Sequence, residues 1–212
     1  MDFVERADAL GARLQALPDL PVLDGARVRL RPVRDDDVDG LFAIFSDARV
    51  MRYWSRPAMT SREESVAYAA RMRAGFRARE VCAWIVADAA DDRCLGQVTL
   101  YEMRARHFRC EIGYALRADA WGRGLAQESI GTALDWAFGW LGLNRVAADV
   151  APGNDASARV LERLGFRREG TLRENFCNQA ELQDSLVFGL LARDWQARRA
   201  ATGTARHAPA AT

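Results

Sequence analysis

Glu111-Ile-Gly-Tyr-Ala-Leu116, Arg117-Ala-Asp-Ala-Trp-Gly-Arg-Gly-Leu-Ala126 and Gln127-Glu-Ser-Ile-Gly-Thr-Ala-Leu-Asp-Trp-Ala-Phe138 run on as an apolar strand, a short loop and a long amphipathic helix. The loop sets Gly122, Gly124 and Ala126 at alternate positions directly ahead of the helix start. Glycine lets the backbone take φ > 0 and lets another group approach closely. A helix start presents unpaired N–H groups and the positive end of the macrodipole. Together they make a site for a phosphate or pyrophosphate that needs neither a metal nor a lysine. The stretch therefore predicts a phosphorylated cofactor.

The helix stripe is Ile130, Ala133, Leu134, Ala137, Phe138 and Leu141, a 3.6-residue period closed by Gly142 and Asn144. Downstream, 145–151 reads as a strand and Pro152-Gly-Asn-Asp155 as a turn. A helix with Val160, Leu161 and Leu164 then stops at Gly165, and 166–172 and 182–191 are the last strands. Upstream, residues 2–16 have helical spacing, and Pro18 and Pro21 bound a linker. Residues 26–32 alternate as a strand with one wet face; Asp35–Asp37 open a helix with stripe Val38, Leu41, Phe42 and Phe45. Ser61 with Glu64 fits a capping box for a helix to Ala78. Residues 81–86 and 94–101 form a hairpin, and an Arg-rich connection containing His107 leads to the strand at 110–116. This order predicts a mixed α/β sheet with helices on its faces rather than a regular βαβ series. The expected division is a leading helix and linker (1–25), one domain (26–196) and a disordered tail (197–212), whose composition is Ala, Thr and Pro.

Composition narrows the partners. The chain has 212 residues, half of them hydrophobic, and 30 Lys and Arg against 29 Asp and Glu, a net charge of +1. That balance offers no basic footprint for nucleic acid. No apolar run of about 18 residues predicts a membrane span. The acidic start, with Asp2, Glu5 and Asp8, argues against a secretory or transit segment. Cys82, Cys94, Cys110 and Cys177 form no CxxC pair and only two His are present, so no metal site is readable. Reduced, mostly buried thiols and a cytoplasmic location are expected. A Rossmann fingerprint is absent, because Ser129 and Ile130 stand where more glycine is wanted, and there is no Walker lysine.

The ordered set Glu111-Ile-Gly-Tyr-Ala-Leu116, Ala120-Trp-Gly-Arg-Gly-Leu-Ala126, Asn154-Asp-Ala-Ser157, Val160-Leu161, Leu164-Gly-Phe166, Glu169-Gly170 and Asp184 resembles the GCN5-related N-acetyltransferases (GNAT), in their ribosomal-protein alanine/serine N-acetyltransferase-like (RimJ/RimL-like) branch. The resemblance runs from about Arg27 to Trp195. It implies the GNAT fold: a mixed, mostly antiparallel sheet of about seven strands, splayed between strands 4 and 5 and flanked by four or more helices. It implies acetyl-CoA as cosubstrate, with no metal, and a primary amine as acceptor, either a protein N-terminus or a small amine. A monomer or homodimer is expected. By the same resemblance the pyrophosphate rests on backbone N–H groups of Gly122, Arg123, Gly124, Leu125 and Ala126. The pantetheine arm runs beside Gly113, Tyr114, Ala115 and Leu116 like an added strand. Trp121 holds a place often filled by Gln or Arg. An N–H near Tyr114 or Ala115 meets the acyl oxygen, Asn154 bonds the pantetheine arm, and Ser157 gives the leaving thiolate a proton or a strong hydrogen bond.

Alternatives stay open at several residues. Asn154 and Ser157 suit a helix start and can be plain caps. Glu111 is the preferred general base, with Glu102, Asp184 and His107 behind it, and each also reads as a solvated or paired group. Tyr101, Arg104 and Arg106 line the acceptor mouth or merely a hairpin tip; arginines there would favour an acidic acceptor. Trp54 contacts substrate or anchors a core. A non-catalytic acyl-CoA-binding sensor or partner-binding module on the same fold is the alternative function.

Overall fold

A computed structural model describes residues 2–178 and 181–203. Eight strands form one sheet: β1 (Leu23–Asp24), β2 (Val28–Arg31), β3 (Cys82–Asp88), β4 (Cys94–Arg104), β5 (Arg109–Leu116), β6 (Arg145–Val150), β7 (Arg167–Asn178) and β8 (Glu181–Leu191). Their order is β1-β2-β3-β4-β5-β6-β8-β7. Every neighbouring pair is antiparallel except β5 and β6. The mixed, mostly antiparallel sheet of the sequence reading is present, with a two-residue β1 as the strand beyond the expected seven.

The β5–β6 pair positions everything else. Its bridges are Arg109↔Arg145, Cys110↔Val146 and Glu111↔Ala147, and there they stop. Beyond Glu111, β5 stays paired to β4 through Leu116, and β6 stays paired to β8 through Val150. The two strands thus part into a V, at the place expected between the fourth and fifth long strands. Main-chain direction follows from register. Arg117 N–H donates to the Leu95 carbonyl at 2.8 Å, so the pairs Gln97↔Ala115 and Thr99↔Gly113 exchange hydrogen bonds. The alternation turns the N–H and C=O of Tyr114 and Leu116 toward the opening.

Helices cover both faces. On one lie α1 (Phe3–Ala16), α5 (Leu125–Asp135), α6 (Asp155–Leu164) and α7 (Ala192–Ala201), around a core that includes Trp84, Ile112, Ile130, Leu134, Trp136 and Phe188. On the other lie α2 (Val38–Phe45), the single turn α3 (Ala48–Met51) and α4 (Arg62–Arg77), around Leu41, Ile44, Phe45, Met72 and Ile85. β3 serves both cores. Cys82, Trp84 and Val86 point to the first and Ala83, Ile85 and Ala87 to the second, which is why its sequence is an unbroken apolar run. α5 continues as a π-helical segment through Leu141 and ends on Gly142 at φ +84°.

Local expectations meet three corrections. β2 has no simple wet face, because Arg31 is buried on a bidentate bond to Asp37 (2.7 and 2.8 Å). The capping box is displaced by one residue: Ser61 makes no side-chain cap, and Glu64 accepts instead from the Thr60 N–H at 3.0 Å. The chain expected to be disordered from 197 is helical through Ala201 in α7, with Trp195 buried and its Nε1 donating to Asp135 at 2.9 Å. The rest of that tail, 204–212, lies outside the described residues. Cys82, Cys94 and Cys110 are buried and Cys177 is exposed. Burial pushes the Cys82 and Cys94 thiols up to about 12, so both stay protonated and inert.

Candidate active site

One cleft of about 1050 Å³ follows the V. It brings together Gly113, Tyr114, Ala115 and Leu116 of β5, Gly122, Gly124, Leu125 and Ala126 of the glycine loop, and Asn154 and Ser157 of α6. Two predicted site residues, Glu111 and Arg123, are not among the described residues that line it. Arg123 borders a separate shallow depression with Arg27, and its carbonyl accepts from Arg27 Nη1 at 2.8 Å.

The loop conformation is the one its glycines allow. Gly122 and Gly124 sit at φ +73° and +75°, and a Cβ on Gly122 would meet nothing within 4 Å. Gly124 caps α5 with no side chain, and the first helical bond runs from Glu128 N–H to the Gly124 carbonyl at 3.1 Å. The preceding N–H groups of the first turn therefore lie at an open helix start against the cleft. Arg27 secures the loop: its N–H and Nε donate to Glu128 at 2.6 and 2.8 Å. Trp121 has a role of its own, since its indole Nε1 donates to the Leu116 carbonyl at 2.9 Å. That bond takes one of the main-chain acceptors expected to serve a cofactor arm and leaves the Tyr114 main chain and the Leu116 N–H facing the V.

At the middle of the cleft the two readings of the Asn154–Ser157 motif separate. Asn154 is a cap: its Oδ1 accepts from Ser157 N–H at 3.2 Å. The Ser157 side chain is not a cap. Its Oγ meets the Tyr114 hydroxyl at 2.7 Å, joining α6 to β5 across the V. Burial pushes the Tyr114 phenol up to about 12, against the pull of its bond to Ser157. Both hydroxyls stay protonated at neutral pH and can share one hydrogen-bond chain.

The end of the cleft opposite the glycine loop lies where the strands part. Tyr101, Asp149, Asn175 and Ser185 line it, and sequence reasoning named only Tyr101 among them. Asp149 left a signal, being the one acidic residue in the apolar strand 145–151. Glu111 stands beside Tyr101 in register. Burial raises the Glu111 carboxyl above the ordinary range, and the charges of Asp149 and Glu102 add to it; Tyr101 and Arg109 pull the other way. The other base candidates lie elsewhere. Glu102 pairs with Arg104 at 2.5 Å, Asp184 accepts from Glu174 N–H at 2.9 Å, and His107 is exposed in a single turn. Arg104 and Arg106 are not among the described residues lining the cleft, which removes the observation that favoured an acidic acceptor. The second wall carries Trp54, edge-to-face on Phe45 at 5.3 Å, and Tyr68, whose hydroxyl donates to Gln97 at 2.8 Å. Tyr53 spans the V, its hydroxyl donating to the Gly153 carbonyl at 2.9 Å.

Comparison with known proteins meets this geometry. The acetyltransferase (GNAT) domain family matches residues 27–167. An N-acetyltransferase of uncharacterised role from Bacillus subtilis (strain 168), YoaA, is 30% identical over 171 residues, covering 81% of this chain and 97% of its own length. Spermidine N(1)-acetyltransferase from Escherichia coli (strain K12) is 25% identical over 177 residues, 83% of this chain and 92% of the relative. The structure of Mycobacterium smegmatis RimJ in complex with CoA-disulfide superposes with a TM-score of 0.77 at 23% identity, covering 87% of this chain and 96% of that one. A strand pair parted into a V, a glycine loop at an open helix start and a family match across both place the chain in the GNAT family, as an N-acetyltransferase.

Proposed function

We propose that this protein transfers the acetyl group of acetyl-CoA to a primary amine, a protein N-terminus or a small amine, by direct attack and with no covalent enzyme intermediate. The observation that carries the reading is one continuous cleft with a helix start suited to an anion at one end, the Tyr114–Ser157 pair at its middle and the Asp149 carboxylate at the other end. A glycine cradle that a Cβ would enter without obstruction fits a pyrophosphate. When bound, acetyl-CoA supplies an activated acyl group and a thiol leaving group.

The chain's own groups then have separable tasks. Gly122, Gly124, Leu125 and Ala126 hold the pyrophosphate by backbone N–H groups; Arg123 contributes its backbone within the loop. Tyr114 turns its N–H into the V, placed to donate to the acyl oxygen. Gly113, Ala115 and Asn154 border the arm, while the Leu116 carbonyl is engaged by Trp121. Ser157, linked to the Tyr114 hydroxyl, donates a hydrogen bond to the departing sulfur. A thiol has a pKa of about 8.5, so a hydrogen bond is enough and no strong acid is required. An α-amine has a pKa of about 8, so a modest base or a water relay suffices, and Glu111 serves through its contact with Tyr101. Similarity to a spermidine acetyltransferase and to a RimJ structure supports amines of both classes as acceptors to assay. The test is calorimetric binding of acetyl-CoA to the purified protein, followed by thiol release with a panel of amines and N-terminal peptides. Amine-dependent release is expected; absence of acetyl-CoA binding would overturn the reading.

A further inference from the structure

Asp149 follows the last β5–β6 bridge by two residues, on the lip where the strands part. Its side chain borders the cleft and is held from the far side. Asn175 Nδ2 donates to Asp149 Oδ2 at 2.9 Å, and the Ser185 hydroxyl reaches the same oxygen at 3.3 Å. Asn175 Nδ2 also lies 2.8 Å from Ser185 Oγ, and Ser185 is buried. Both donors come from the β7–β8 hairpin, and both converge on one carboxylate oxygen. Two such bonds orient a carboxylate rather than neutralise it.

The charges that act on Glu111 and Tyr101 are mostly acidic. Glu111 stands on the neighbouring strand at the last β5–β6 bridge, raised first by its burial and then by the charges of Asp149 and Glu102. Burial also raises Tyr101, and Glu111 and Asp149 add to that. Of the arginines that line the cleft, Arg49 pairs with Asp47 at 2.6 Å, Arg52 lies over the Tyr53 ring at 5.2 Å, and Arg163 belongs to the last turn of α6; Arg104 pairs with Glu102, and Arg109 offsets Glu111 in part. Gly113 leaves room between these groups, since a Cβ there would touch the Tyr101 ring at 3.4 Å. Asp149 on the cleft lip, with Glu111 behind it on the neighbouring strand, offers carboxylate charge to a cation.

We infer that Asp149, oriented by Asn175 and Ser185 and reinforced by Glu111, receives the acceptor as an ammonium ion, and that the site selects amines carrying a second positive charge over amines carrying a carboxylate. The inference rests on the acetyltransferase reading and fixes the substrate class of that site. Asp149 is a substrate-binding residue; Asn175 and Ser185 are positioning residues.

The experiment compares two probes of equal chain length, 1,4-diaminobutane and 4-aminobutanoate, by titration calorimetry against the full chain, with and without saturating CoA. The diamine should bind at least about tenfold more tightly, the scale of one charge-assisted contact. Asp149→Asn should erase most of that preference while CoA affinity stays within about twofold, and Ser185→Ala should weaken diamine binding less. Thermal melts confirm that each variant folds. A wild-type protein that binds neither amine, binds both equally, or keeps its preference in Asp149→Asn overturns the inference. Failure of CoA to bind counts against the cofactor reading alone, because the titrations without CoA still decide the amine site.

Discussion

The Tyr114 and Ser157 hydroxyls share one short contact of 2.7 Å, and that contact makes their contributions inseparable. Removing either oxygen breaks the same chain. Ser157→Ala deletes the hydroxyl proposed to donate to the departing sulfur and should lower kcat about 10- to 100-fold, with acetyl-CoA affinity nearly unchanged. Tyr114→Phe should lower kcat by a smaller factor, and the double variant should be no worse than about twofold below Ser157→Ala, because residues acting as a unit are not additive. Steady-state kinetics of the four proteins check this; multiplicative losses would show two independent roles. Gly122 tests the other end of the cleft. At φ +73° an aspartate is strained but tolerated, its Cβ meets no atom, and its charge stands where the pyrophosphate is to bind. Gly122→Asp should weaken acetyl-CoA binding at least about tenfold by calorimetry while the protein stays folded. Gly124 is the poorer test, because an acid there would find Arg27 Nη2 about 3.5 Å from its Cβ.

At the scale of elements, the wall made by α2, α3 and α4 is tied to the sheet by one buried ion pair. Arg31 of β2 grips Asp37 bidentately, and its Nε donates to Asp92 of the β3–β4 turn at 2.9 Å. Arg31 and Asp37 side chains are 2% and 3% exposed. Asp37 also accepts from the Arg34 N–H at 2.7 Å, which fixes the entry to α2. Breaking such a pair leaves a buried charge, so Asp37→Ala should cost about 3–5 kcal/mol in denaturant unfolding. Asp36, its exposed neighbour, should tolerate the same change within about 0.5 kcal/mol. In the sequence, Asp35, Asp36 and Asp37 read alike, as charges at a helix start. Only the meeting of β2, the turn and α2 tells them apart. The long elements were legible because their periods are set by local burial: α5 by its 3.6-residue stripe, β3 by its double-faced run. β1, α3 and α7 were missed because two strand residues, one turn of helix and a stripe built on a lone Trp195 carry no period of their own. The full length of β7 was also missed, since its outer half, through Glu174 at φ +49°, is exposed and bulged against β8.

The whole molecule divides its site residues by how they are encoded. The glycine loop and the Asn154–Ser157 motif are each contiguous in sequence, so each could be read directly. The acceptor end is assembled from β4, β5, β6 and the β7–β8 hairpin, so Asp149, Asn175 and Ser185 come together only through sheet register. Glu111 belongs to both descriptions, and its position has a cost in stability. Its carboxyl is raised in the folded protein, first by burial and then by Asp149 and Glu102. The folded state therefore holds this proton more tightly than the unfolded chain does. As pH rises from the unfolded value of about 4.3 through the higher folded value, the group removes stability, and above both values the loss stays constant. Glu111→Gln eliminates that charge. Its melting temperature should exceed that of the wild type at pH 7 and converge with it below about pH 4, where both side chains are neutral. The same change weakens the negative lip that receives the amine, so KM for a cationic acceptor should rise while acetyl-CoA affinity is unchanged. Thermal melts from pH 3.5 to 8, paired with steady-state kinetics, read both effects. A Gln variant that is less stable at pH 7, or equally offset at every pH, would mean that the carboxylate is held by favourable partners and is not a destabilised group kept for catalysis.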